Sequence, residues 1–177
     1  MEHPRKLILY IAMSLDGYIA TSDDGLEFLN LVQQEGEDYG YTDFVNSIDT
    51  VIIGRRTYDK IVSLGVPYPH SDKTTYVVTH QKNLHNGHAI FYNGDLQSLV
   101  NALKSEKGKN IYCDGGAKLV EELLKDDLID EFYISIIPVL LGNGIKLFRP
   151  IERETKLRLI SSRSFEKGLV QLHYVKD

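Results

Sequence analysis

Cysteine is nearly missing from this chain: Cys113 is the single one in 177 residues. One thiol excludes an intrachain disulfide framework, fits a reducing cytoplasm, and reads as a small buried apolar side chain. Positive charge is also in short supply. Twenty Lys and Arg stand against 25 Asp and Glu, for a net charge of −5. That balance argues against a nucleic-acid partner held through phosphates, yet leaves room for one local anion pocket. Long apolar runs are absent too. Met1 to Arg5 is polar and Lys6 to Met13 is too short to span a bilayer, so neither a signal segment nor a membrane partner is predicted. No internal repeat or low-complexity stretch occurs. The dinucleotide fingerprint G-x-G-x-x-G and the phosphate loop G-x-x-x-x-G-K-[ST] are not found. Nor are the H-x-E and P-C-x-x-C elements of a zinc deaminase.

What is present is an ordinary globular composition, 42% hydrophobic and 25% charged, long enough for a single domain over residues 1–177. Short apolar runs rich in Val, Ile and Tyr predict strands at Leu7–Met13, Thr50–Ile53, Thr75–Thr79, Ala89–Tyr92, Asn110–Cys113 and Glu131–Pro138. Lys156–Phe165 and Leu169–Val175 predict a closing hairpin around Glu166-Lys167-Gly168. Helical spacing appears in Asp24–Glu35, Thr57–Leu64, Leu96–Lys104 and Ala117–Leu128. Val66–Lys73 and Leu140–Arg149 read as surface loops. Strands alternating with helices imply an α/β domain with a mostly parallel central sheet, and the hairpin implies an antiparallel edge.

Chemistry gathers where strands end. In "IAMSLDGYIA" a strand stops at Met13 and Ser14-Leu15-Asp16-Gly17 turns the chain. This is either a plain Asx-type turn or a loop crossing a ligand cleft. In "TVIIGRRTYD" a buried strand meets Gly54, Arg55, Arg56 and Thr57 at a helix start. Free amides and two guanidinium groups there suit an anion, while Thr57 as a simple cap is the alternative. In "IYCDGGAKLVEELL" the pair Gly115-Gly116 joins strand to helix directly, as a tight turn or as backbone lying against a ligand. Thr79, His80 and Lys82 follow another strand and suit an adenosine phosphate or plain solvent. His85 and His88 have a metal-like spacing, but Asn86-Gly87 between them reads as a turn, so no metal site is predicted.

The stretches "IAMSLDGYIA", "GRRTYD", "YCDGGAKLVEELL" and "LIDEFYISIIPVLLGNGIKLF" occur in this order over almost the whole chain. In that series the sequence resembles the dihydrofolate-reductase-like superfamily. It is most similar there to the C-terminal reductase domain of the bifunctional riboflavin-biosynthesis deaminase-reductase and its stand-alone bacterial relatives. The resemblance implies a dihydrofolate-reductase-like three-layer sandwich: a mostly parallel sheet, an antiparallel C-terminal hairpin, and helices on both faces. It also implies an oxidoreductase that uses NADPH on a small nitrogen heterocycle. Such an enzyme would be similar to 5-amino-6-(5-phosphoribosylamino)uracil reductase or to dihydrofolate reductase.

By the same resemblance, Gly54, Arg55, Arg56 and Thr57 hold cofactor phosphates, and Thr79 and His80 meet the adenosine side. Gly115 and Gly116, often joined by a cis peptide in the superfamily, lie against the nicotinamide half and pyrophosphate, followed by Ala117, Lys118 and Leu119. Ala12, Ser14, Asp16, Gly17 and Ile19 belong to a loop closing over the nicotinamide and the substrate. Ser135 matches a hydroxyl beside the substrate ring. The early helical acid of dihydrofolate reductase has no matching motif, so Asp16, then Glu27, are the expected acids for a substrate nitrogen. A homodimer is expected from exposed sheet edges and from relatives that dimerise. The competing reading is a non-catalytic nucleotide- or flavin-binding protein on the same fold.

Overall fold

The structure is a computed structural model, and it describes residues 4–81 and 89–177. His85, His88 and Lys82 lie outside the described residues. Among the described residues no helix is long and apolar enough to cross a membrane.

Eight strands form one sheet in the order β5-β4-β3-β6-β1-β7-β10-β9. These are β1 (Leu7–Ser14), β3 (Ile48–Gly54), β4 (Thr74–Val78), β5 (Ala89–Tyr92), β6 (Asn110–Gly115), β7 (Glu131–Ile137), β9 (Leu157–Ser164) and β10 (Val170–Lys176). From β5 to β7 all neighbours are parallel, and β10 and β9 are added antiparallel. The mostly parallel sheet with its antiparallel C-terminal hairpin is therefore as the sequence predicts.

Both sheet faces are covered, which explains the nearly continuous apolar strands. In β1, Leu7, Leu9, Ile11 and Met13 point to one face. There they pack with α3 (Leu96–Ser105) and α4 (Ala117–Lys125) through Leu99, Leu103, Val120 and Leu123. Ile8 and Tyr10 point to the other face, toward Phe44 of α1 (Tyr41–Asn46) and Tyr58 of α2 (Arg55–Ser63). This alternation follows the two-residue period of a strand. Each fully buried Leu or Ile on these faces contributes about 1.5–3 kcal/mol relative to exposure.

The predicted helix Asp24–Glu35 is a correction. Only Glu27–Val32 is helical, and it is a 3-10 helix. Before it, Thr21 closes a small ring: its hydroxyl accepts from Gly25 N–H at 2.8 Å, and its carbonyl accepts from Asp24 N–H at 3.1 Å. Asp24 takes φ 65° inside that ring, and Gln33 turns extended after the helix. A longer α-helix has no room between them. The chain then forms α1, which the sequence reading missed. Gly40 enters it at φ 81°, and Asp38 takes N–H bonds from Gly40 at 2.9 Å and Thr42 at 3.0 Å. The predicted loop Leu140–Arg149 carries a short strand β8 (Ile145–Lys146), which pairs with β2 (Tyr18–Ala20) in a separate antiparallel pair. The predicted helix Ala117–Leu128 ends earlier. Asp127 adopts φ 57° and Leu128 N–H returns to Leu123 O at 2.9 Å, which closes the helix end.

Candidate active site

β3, β6, β1 and β7 are parallel neighbours, so their C-terminal ends share one edge of the sheet. Ligands of open α/β sheets lie at such an edge. Two of these ends pass straight into helices, Gly54 into α2 and Gly116 into α4. Neither helix start has a side-chain cap. Away from this edge, α3 is capped by Asp95, whose carboxylate accepts from Ser98 N–H at 2.7 Å. Uncapped first turns leave N–H donors and a partial positive charge facing outward, which favours an anion.

The two junctions touch. A Cβ on Gly54 would meet Gly115 O at 3.5 Å and Gly116 N at 3.6 Å. A Cβ on Gly116 would stand 2.9 Å from Thr57 Oγ1. The Thr57 hydroxyl thus sits in the notch between the junctions. The Gly115–Gly116 peptide is cis, and Gly115 has φ 90°. Ala117 and Leu119 are buried, with Leu119 Cβ 3.8 Å from where a Cβ on Gly54 would stand, while Lys118 is exposed.

The two arginines are placed at the first turn of α2, each with an acidic partner. Arg55 Nε donates to Asp59 at 2.7 Å, and its guanidinium lies 5.3 Å from the Phe91 ring centre. Arg56 pairs with Asp24. Thr79 is buried at the end of β4, where its hydroxyl accepts from Gln81 N–H at 3.1 Å, and His80 is exposed beside it. Ile19 of β2 packs on the α3–α4 side of the sheet.

Asp16 is brought to this edge, but its carboxylate is fully engaged. Oδ1 accepts from Ser14 Oγ at 2.6 Å and from Leu141 N–H at 3.1 Å, and Oδ2 accepts from Gly142 N–H at 2.7 Å. The Ser14 hydroxyl and these amides hold the carboxyl below the usual carboxylate range. An acid kept ionised by its own loop is no proton donor at neutral pH, which corrects that expectation. Asp16 ties the loop after β1 to the turn after β7. Glu27 is a second correction: it is exposed at the start of the 3-10 helix and does not line the cavity described next.

On the α1 side of the edge lies a cavity of about 240 Å³. Tyr10 and Ala12 of β1, Ser135 and Ile137 of β7, and Tyr39 and Tyr41 form much of its wall. Ser135 is buried and sits opposite Ala12 on one side and Gln171 on the other. Gln171 Nε2 donates toward Ser135 Oγ at 3.3 Å, Tyr10 Oη at 3.0 Å and Tyr39 O at 3.1 Å. This amide holds the floor of the cavity together. Ser135 and Ala12, both expected beside the substrate, are therefore brought to one cavity wall.

The sequence reading assigned Asp114 no chemical role. It is the penultimate residue of β6, directly before the glycine pair, ringed by protein atoms while keeping a partly exposed edge. Burial raises its carboxyl to about 6, against the pull of the Tyr112 hydroxyl, which donates to it at 2.7 Å. Its charge in turn adds to the burial that lifts the Tyr41 phenol to about 12. The signal was an acid immediately before the glycine pair. Among the described residues no cluster of three or more His, Cys, Asp or Glu is placed to hold a metal ion.

The geometry has known counterparts. The family model described as RibD C-terminal domain matches residues 5–171. The uncharacterized protein YwjB of Bacillus subtilis is 47% identical over 173 residues, covering 97% of this chain and 98% of its own length. A crystal structure of a putative riboflavin biosynthesis protein from Shewanella sp. PV-4 superposes with a TM-score of 0.90 at 30% identity, over 97% of this chain and 99% of that one. Dihydrofolate reductase from Enterococcus faecalis, complexed with NADP(H), superposes with a TM-score of 0.70 at 17% identity, over 97% and 96%. That likeness shows that the fold is the dihydrofolate-reductase-like one.

Proposed function

Because this chain belongs to the RibD C-terminal domain family, we propose that it is an NADPH-dependent reductase of a small nitrogen heterocycle of the pyrimidine or pteridine type. The observation that carries this reading is the convergence of two uncapped helix starts, Gly54 to α2 and Gly116 to α4, beside a tyrosine-walled cavity. The residues fit the cofactor: the donors are free, the glycines leave close approach open, and Thr57 marks the notch.

Gly54, Thr57, Gly115, Gly116 and the backbones of Ala117, Lys118 and Leu119 would hold the pyrophosphate region. Arg55 and Arg56 would exchange their carboxylate partners for phosphate. Thr79 and His80 would meet the adenosine side, and Ala12 and Ile19 the nicotinamide. The cofactor, when bound, supplies the hydride; orientation and exclusion of water fall to the protein. The Asp16-anchored loop covers the site, and Ser135 orients the ring. Asp114 stands behind Tyr41 and Tyr112 outside the cavity lining, so its place is to set the charge behind those phenols rather than to touch the substrate. The same proposal includes a cytoplasmic homodimer. Strand β9 is exposed along its whole length at the sheet edge, with Leu157, Leu159 and Ile160 uncovered, and such edges pair.

The test is consumption of NADPH with dihydropteridine and aminopyrimidine acceptors, compared with Gly116→Ala, whose added methyl would fill the cofactor notch. Turnover by the wild type that falls about a hundredfold in the variant is expected. No turnover of any acceptor while NADPH binds would favour a binding protein instead.

A further inference from the structure

The walls of the substrate cavity carry an uneven set of charges. Among the described residues that line it, none is Lys or Arg. The one ionisable carboxylate on the lining is Asp38, exposed at the mouth. Asp38 is fixed as an anion: Oδ1 accepts from Gly40 N–H and Oδ2 from Thr42 N–H, at 2.9 and 3.0 Å, across the first turn of α1. Thr42 and Gly40 together hold its carboxyl below the usual carboxylate range. Asp114 stands behind Tyr41 and Tyr112 on the same side. The remaining wall is aromatic and aliphatic, with Tyr10, Tyr39 and Tyr41 facing Leu29 and Val32.

We infer that the substrate of this site is a flat, uncharged heterocycle that carries no phosphate group. The inference rests on the reductase reading of the site and narrows it. A tyrosine-walled slot suits a planar ring, which can stack or meet tyrosine edges. A phosphate on that ring's side chain would have to leave through a mouth where Asp38 already sits, and like charges placed together are disfavoured. Two cations of the hairpin do not line the cavity: Lys167 donates its amino group to Gln33 O, and Arg163, whose charge reaches Tyr10, lies across β10 with its guanidinium 5.6 Å from the Phe165 ring centre.

The experiment is calorimetric titration of the NADP-loaded protein with a matched pair: 5-amino-6-(5-phosphoribosylamino)uracil and the same compound without its phosphate. The dephosphorylated compound is expected to bind at least about tenfold more tightly. Asp38→Asn removes the charge, keeps one of the two N–H bonds through its amide oxygen, and should narrow the ratio. Equal or tighter binding of the phosphorylated compound overturns the inference, most directly if that binding is lost in Lys167→Ala or Arg163→Ala. Binding of neither compound overturns it as well. The same ratio is read on the free protein, so failure of NADP to bind defeats the reductase reading separately and leaves this test standing.

Discussion

The two halves of the crevice are built from different materials. The half at Gly54 and Gly115–Gly116 is backbone: two helix starts without side-chain caps, separated by glycines and one threonine hydroxyl. The half between β1, β7 and α1 is side chain: tyrosines, Ser135 and Gln171, brought together from positions as far apart as Tyr10 and Gln171. Backbone donors bind any ligand with phosphate of the right shape and tolerate little change of shape. Side-chain walls choose the ring and tolerate gradual change. The difference teaches that cofactor binding should fail abruptly on substitution, whereas substrate choice should drift.

The sharpest way to break the comparison is Gly116→Ala. Its φ of −78° accommodates alanine, so the fold should survive, but the new methyl would crowd Thr57 Oγ1 at 2.9 Å and fill the notch. NADPH affinity measured by titration should fall about a hundredfold or more, roughly 2.7 kcal/mol, with little change in melting temperature. An unaltered affinity would mean that the glycine pair is scaffold.

Next in size is Asp114→Asn. Asp114 rises from 3.8 to about 6 in the folded state, so the native protein holds a proton that the unfolded chain has released. Its contribution is therefore fully present below about pH 4 and is lost as pH rises through 6. At pH 8 the charged carboxylate costs up to about 3 kcal/mol, which Asn removes. Thermal melts should show the variant more stable than wild type at pH 8 and equal to it near pH 4. A constant difference across that window would contradict the raised value.

These two sites also mark what could be read from the sequence. The eight main strands and the glycine junctions were legible because strand period and glycine pairs are local signals, whereas the order of the strands in the sheet is set by tertiary pairing. Gly54, Thr57 and Gly115–Gly116 needed no partner to be recognised. The stretch from Thr21 to Asn46 was not legible. Its apolar residues have helical spacing, but a ring closed by the Thr21 side chain and the αL glycine at position 40 decide where helices begin. Asp16 and Asp114 look alike in sequence, each beside a glycine. Only the surroundings separate them: the Ser14 hydroxyl and two amides from the turn after β7 lower the first, and burial raises the second to about 6. The cavity wall was legible only where Ala12 and Ser135 matched positions in the family's series. Tyr39, Tyr41 and Gln171 carried no local signal.

Smaller effects sharpen the contrast. Ser135→Ala removes one acceptor of the Gln171 amide and should cost about 1 kcal/mol in chemical denaturation. It should raise KM for substrate and leave NADPH affinity unchanged, since the change falls on the side-chain half. Asp95→Ala removes the cap of α3 far from the edge and should cost a similar amount, about 1 kcal/mol, with no effect on either ligand. A change in NADPH affinity from either substitution would blur the division between the halves.

The central claim is that two bare helix starts hold a dinucleotide across the sheet edge. A crystal structure of the NADP complex tests it most directly. The pyrophosphate is expected between the first turns of α2 and α4, in contact with Gly54, Thr57 and Gly116, and the nicotinamide beside Ala12 and Ile19. A pyrophosphate seated in the tyrosine-walled cavity, or NADP bound away from this edge altogether, would contradict it.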